Sequence, residues 1–406
     1  MASGAPGTPI RVEVNAVLVP VVVRDAQGRA VGGLQKEDFE VYDEGKQQVI
    51  SGFTIEKHFV VGAVDAKPVA PAADPRVPVP ASPPPPSPPQ RFIVFLFDDL
   101  HLDIADLAQA QRAATRMLAG SLSNSDMADV VSFTGINSGM TRDQAKLQQA
   151  IMQLKVRQLY RQVGRQCPNI DYYLADLIAN KHNDMATESA VQDTMTCANM
   201  KPQERNIAER MVQSAASQAL SIGDQDLRVT LGFVKELVRR MQALPGERMV
   251  ILLSPGFVAI SAEAMSLKSQ IMDVAAQSKV TVSALDTRGL YTTNLDASEH
   301  GETSKFAMVT GQDSQHHQES AAINEDVMAE LADGTGGRFF HNSNDLEGGF
   351  KSLTEAPEYQ YVLEFSPQNV KANGSYHSLK VKVRGNGLKL QARRGYYAPK
   401  AEKVNK

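Results

Sequence analysis

Hydrophobic and polar positions follow three rhythms along the chain. Val12 and Val14 alternate with Arg11, Glu13 and Asn15, the period-2 signature of a strand. Residues 17–23 are almost wholly apolar, as in a strand covered on both faces. Asp25-Ala26-Gln27-Gly28 is turn chemistry, and residues 39–42 and 49–53 read as short strands around the turn Asp43-Glu44-Gly45-Lys46. So few strands make a thin core that needs a partner. The carboxyl-terminal region offers one. Tyr359, Tyr361, Leu363 and Phe365 alternate with polar residues, as do Leu379, Val381 and Val383, and then Leu388 and Leu390. Asn373-Gly374 and Gly385-Asn386-Gly387 mark the turns. These patterns predict antiparallel strands with one face buried.

The middle of the chain changes rhythm. Residues 92–97, 130–133, 249–253 and 280–285 are short continuous apolar runs of the kind parallel strands show. Between them Leu227, Leu231, Val234, Leu237, Val238 and Met241 fall on one helical face, and Leu147, Ile151 and Leu154 repeat that spacing. Alternating strands and helices predict a doubly wound, mostly parallel α/β sheet. Residues 156–226 are helical without an intervening strand, which predicts a helical insertion. Residues 63–90 hold 11 of the chain's 21 prolines and predict an extended tether, since proline removes backbone donors. The expected organisation is therefore an α/β domain (91–352) inserted into an antiparallel β-sandwich. Strands at 10–62 and 353–400 form the sandwich, and the tether lies at the first junction.

Composition narrows the function. Of 406 residues, 42 are Lys or Arg and 46 are Asp or Glu, a formal charge of -4, which excludes the surplus of cations that nucleic-acid binding needs. No run of 18 apolar residues is present, so no transmembrane helix is expected. Two cysteines, Cys167 and Cys197, are too few for a zinc ribbon. Both lie in polar helical sequence, where a buried free thiol fits poorly, so they are a candidate disulfide pair. Residues 1–9 have neither a basic nor an apolar leader segment.

In an open parallel sheet ligands gather at the carboxyl ends of the strands. The first central strand delivers Asp98-Asp99-Leu100-His101-Leu102-Asp103 to that edge. An apolar strand ending in aspartate, in this architecture, resembles a von Willebrand factor type A domain. Val31-Gly32-Gly33-Leu34, Glu37-Asp38-Phe39-Glu40-Val41-Tyr42 and Leu244-Pro245-Gly246-Glu247-Arg248 extend the likeness. So do Leu331-Ala332-Asp333-Gly334-Thr335-Gly336-Gly337, Tyr361-Val362-Leu363 with Ser366-Pro367, and Arg394-Gly395-Tyr396-Tyr397-Ala398. In this order they resemble a bacterial, acidobacterial family of type A-related (VWFA-related) proteins, over nearly the whole chain except the tether and the helical insertion. The resemblance implies an extracytoplasmic location: periplasmic, cell-surface or secreted.

It also implies a metal-ion-dependent adhesion site: an Asp-x-Ser-x-Ser loop, a threonine and a further aspartate around a hard cation. This chain departs from that pattern. Asp98 matches the first aspartate, but Leu100 and Leu102 replace the serines and Pro255 replaces the second aspartate. The threonine loop is overwritten by the helical insertion, so no position carries over. The site therefore reads as degenerate, with no cofactor. The alternative is one divalent cation held by a non-standard set drawn from Asp98, Asp99, His101 and Asp103, with imidazole favouring a transition metal. Against that, Asp103 sits where a helix N-cap belongs. His316-His317 lies in a polar stretch and reads as a solvated pair.

Catalytic signals are few. Ser254 lacks the Gly-x-Ser-x-Gly context of a nucleophile elbow, and no phosphate loop is present, so a hydrolase is the weakest alternative. The expected function is a non-catalytic protein–protein interaction or adhesion module with a protein partner the sequence does not identify. Its expected docking edge holds Asp98, Asp99, His101, Ser254, Pro255, Phe257 and Asp286. Phe257 is either an exposed anchor or part of the core.

Overall fold

The computed structural model describes residues 16–26, 29–57, 89, 91–122, 126–157, 167–290, 312–354, 359–367 and 376–397. The expected strand at 11–15 and nearly all of the proline-rich tether lie outside them. The chain divides into two compact units, Met1–Val60 with Ala356–Lys406, and Val61–Glu355.

The first unit opens with β1 (Val17–Arg24), β2 (Phe39–Asp43), β3 (Lys46–Gln48) and β4 (Ile50–Lys57). β1 is covered on both faces only toward its carboxyl end: Val19, Val21, Val22 and Val23 are buried, while Leu18 and Pro20 are exposed. The hairpin also differs from expectation. Glu44 and Gly45 both have positive φ, 49° and 75°, so the strands pair at once, Asp43 against Lys46 and Val41 against Gln48. A two-residue turn forces that register. The partner of β2 is therefore β3, and the apolar run that follows becomes β4 in the other sheet.

In the second unit β5 (Arg91–Phe97) is buried at every position. Next come α1 (Ile104–Ser121), β6 (Asp126–Ser132), α2 (Gln144–Gln153), α3 (Tyr172–Ala179), α4 (Asp184–Cys197) and α5 (Arg205–Met241). β7 (Glu247–Ser254), α6 (Ala262–Ser278), β8 (Val280–Asp286), α7 (Gln312–Thr335), β9 (Phe339–Phe340) and α8 (Leu346–Thr354) complete it. The five strands are parallel in the order β6-β5-β7-β8-β9. Alternate β5 residues serve opposite faces. Phe92, Val94 and Leu96 pack with residues of α5, α6 and α7, and Ile93, Phe95 and Phe97 with residues of α1, α2 and α8. At the amino end of the sheet, buried Arg91 forms a two-pronged pair with Asp126 (2.9 and 2.7 Å) and donates to the Thr354 carbonyl (2.9 Å).

The helical region has its own small core of Ala175, Ile178, Ala190, Val191, Ala208 and Val212. Cys167 and Cys197 form a disulfide across a sequence separation of 30. The expected insertion boundary at 226 is not a boundary in the structure, because α5 runs unbroken for 37 residues through it. The amino-terminal half of α5 serves the helical core and Leu227, Leu231, Val234 and Val238 serve the sheet. α3 reaches α5 over Gly223, where a Cβ would stand 2.1 Å from the Tyr172 ring, and Tyr172 donates to Asp224 (2.7 Å).

Returning to the first unit, β10 (Tyr359–Phe365), β11 (Tyr376–Val383), β12 (Lys389–Ala392) and β13 (Gly395–Tyr397) complete two antiparallel sheets, β12-β1-β10-β4 and β13-β11-β2-β3. Both contribute to one core, where Phe39 meets Tyr361 at 5.2 Å between ring centres. Tyr361 is fully buried, donating to the Val31 carbonyl (2.8 Å) and accepting from the Leu34 amide (3.2 Å).

Candidate functional site

The sheet order reverses between β5 and β7, and open α/β sheets bind ligands in the crevice beyond the carboxyl ends at such a point. β5 ends there in Asp98 and Asp99, both with no exposed surface. The turn that follows folds back on Asp98. Its Oδ1 accepts the His101 amide (3.0 Å), and its carbonyl accepts the Leu102 amide (3.2 Å). Leu100 and Leu102 are buried and pin this turn to the core. Asp103 takes the N-cap position of α1 with extended backbone, its carbonyl accepting the Leu107 amide (2.9 Å).

His101 is thereby placed between two carboxylates. Nδ1 lies 2.8 and 2.9 Å from the Asp98 oxygens, and Nε2 lies 2.6 Å from Oδ2 of Asp226 on α5. A neutral imidazole can donate from only one ring nitrogen, so carboxyl oxygens at both nitrogens favour the doubly protonated imidazolium. Burial by itself would lower its pKa. The charge of Asp98, the hydrogen bonds to Asp226 and Asp98, and the charge of Asp226 outweigh burial and push it up to about 10.

β7 contributes Ser254, fully buried, whose hydroxyl donates to Asp98 Oδ2 (2.6 Å) and accepts the Gly256 amide (3.0 Å). Gly256 sits at φ 87°, where a Cβ would meet the Asn324 carbonyl oxygen at 2.3 Å, so glycine is required there. This tight turn folds Phe257 inward. It is 4% exposed, belongs to the sheet core and stacks on His101 with ring centres 5.4 Å apart. Phe257 is therefore core and not an exposed anchor. Pro255 is half-buried beside it.

The other edge residues are likewise turned inward. Thr134, two residues beyond β6, donates its hydroxyl to Asp99 Oδ2 and its amide to Oδ1 (3.2 Å). A threonine thus does reach this edge, from the loop before the insertion. Asp286, 1% exposed, is held by the Arg288 amide (3.0 Å) and guanidinium (3.0 and 2.7 Å). Asp226 and Thr134 carried no chemical motif in the sequence. The first precedes the apolar face of a helix, and the second follows an apolar strand.

The resemblance implies a divalent cation here, and these residues do not fit one. Asp98 already accepts from His101 and Ser254, Asp99 is bound to Thr134, and buried Leu100 and Leu102 offer no oxygen. Among the described residues no group of three or more His, Cys, Asp and Glu side chains is arranged to hold a metal. As an exposed docking edge the polar set is equally unsuited: Asp98, Asp99, Ser254 and Asp286 are buried. Among the described residues, exposed apolar side chains near this end include Ile104 at the start of α1 (79% exposed), Met265 in the first turn of α6 (54%) and Leu290 beyond β8 (60%). His316 is not a solvated loop residue. It lies on α7, pairs with Asp171 (2.8 Å) and stacks on Tyr173 (5.4 Å).

No family model matches the chain, and no curated protein matches it. Similar solved structures include the human COPII-coat protein Sec24c (6% identity, TM-score 0.27, 78% of this chain and 45% of that one). They also include the pilus adhesin SpaC from Lactobacillus rhamnosus GG in its open conformation (7% identity, TM-score 0.27, 77% and 44%). The chain spans less than half the length of either. Within the described residues no helix is long and apolar enough to cross a membrane.

Proposed function

We propose that this chain is a non-catalytic protein-interaction module, built like a von Willebrand factor type A domain with a degenerate metal site. In this reading the module is inserted into a β-sandwich formed by the two ends of the chain and acts outside the cytoplasm. The observation that carries the reading is the inward commitment of the carboxyl edge. Asp98, Asp99, His101, Ser254 and Asp286 are each bound to another side chain, while Ile104 and Leu290 stand exposed beside them. Ser254 donates to Asp98 and not to His101, and both nitrogens of His101 face carboxylates, so the serine–histidine pairing of acyl transfer is missing at this edge. Exposed apolar residues over a fixed scaffold suit a protein partner. The disulfide supports an oxidising compartment.

A photo-crosslinking residue at position 104 or 290 should trap the partner from a native extract, and one at exposed Met185 on α4 should not. Ile104→Asp with Leu290→Asp should abolish capture. Crosslinking through Met185 alone, or a hydrolytic activity lost in Ser254→Ala, would sink the proposal.

A further inference from the structure

Two carboxylates face the crevice from different layers: Asp98 from the end of β5, and Asp226 from α5. Their surroundings are unequal. Asp98 also accepts the Ser254 hydroxyl and the His101 amide. Asp226 Oδ1 is buried without a hydrogen-bond partner, as is the Thr230 hydroxyl one helical turn on. A carboxylate removed from water stays ionised only beside a compensating cation or donor. For Asp226 that group is His101. The Phe257 ring stacks on one face of the imidazole.

We propose that His101 is the resident cation of the carboxyl edge: its ring fills the place a divalent ion would take, neutralises Asp98 and Asp226 together, and makes α5 a ligand of the sheet. The edge is set by the chain alone, without a metal, and its shape depends on where α5 stands. This rests on the metal-free reading of the edge given above, and it adds the identity of the substitute and its second anchor.

Chemical rescue of His101→Gly in the full chain tests it. The substitution removes the ring and leaves a cavity with two carboxylates at its ends. Imidazole, cationic near neutral pH, should raise the Tm of the variant by several degrees. Pyrazole, of the same size but neutral, should not, and the imidazole effect should vanish in the double variant with Asp226→Asn. Equal rescue by pyrazole, or rescue that survives Asp226→Asn, would overturn the resident cation while leaving the metal-free reading intact. Stabilisation of the wild type by Mg²⁺ or Mn²⁺ that is lost in Asp98→Asn would overturn both. A wild-type protein labelled with ¹⁵N at histidine gives an answer even if the variant does not fold. Both ring N–H groups of His101 should be visible at neutral pH, and a single one would refute the assignment.

Discussion

Replacing His101 by glutamine should remove a pH-dependent share of the stability of the α/β unit. The folded protein holds the imidazole proton up to about pH 10, whereas the unfolded chain releases it near 6.5. Each tenfold in proton affinity is worth about 1.4 kcal/mol, so the pairing contributes on the order of 5 kcal/mol when complete. Because the folded pKa is raised, the contribution is whole below pH 6.5, declines as pH rises, and is gone above about 10. Between pH 7.5 and 9 it should fall by about 2 kcal/mol, or roughly 30-fold in an opening equilibrium. Hydrogen exchange at the β5 amides reads the opening of this sheet alone, which matters in a chain of two units where a single melting transition is ambiguous. Comparing wild type with His101→Gln at each pH cancels the intrinsic exchange rate and the other titrating groups. The ratio of protection should drop about 30-fold from pH 7.5 to 9. A ratio flat across that interval would refute the imidazolium between Asp98 and Asp226.

Phe257→Ala should cost about 3–5 kcal/mol of stability, read by urea unfolding, because the ring is core. A loss below about 1 kcal/mol would return it to the surface. Replacing Cys167 and Cys197 by serine should weaken the helical region by roughly 3–4 kcal/mol, the loop-entropy value for a separation of 30. Amides of α4 should lose protection while those of β5 and β7 keep theirs. Arg91→Lys keeps the charge but loses the fork on Asp126 and the bond to Thr354, and should cost about 3 kcal/mol. An unchanged melting profile would show that one prong suffices.

The sheet is legible because β5 and most of β7 and β8 are buried on both faces, and such strands spell themselves out as largely apolar runs. The antiparallel strands were legible for the opposite reason, since Tyr361, Leu363 and Phe365 alternate with residues facing outward. The hairpin at Glu44-Gly45 misled because a turn's backbone geometry, and not the nearest apolar run, chooses the partner strand. At the edge, Asp98 and His101 could be placed from their position after a strand. Their partners could not: Ser254 is 156 positions from Asp98, and Asp226 is 125 from His101. The pattern around Phe257 does not choose between core and surface, because that choice rests on the turn at Gly256, whose demand comes from Asn324 on another helix. No local pattern records such pairings.

The 37-residue α5 has a mechanical consequence. At 1.5 Å per residue it is a rod about 55 Å long, rooted at one end in the sheet core and at the other in the disulfide-tied helical region. Asp226 lies past its midpoint, at the fulcrum where the rod meets the sheet. A load applied to the outer helices would reach His101 as a tilt or rotation of α5, with little attenuation along a stiff helix. The helical region is therefore a lever arm and not a detachable cassette: excising residues 156–226 would cut the rod and remove the carboxylate against which the edge is braced.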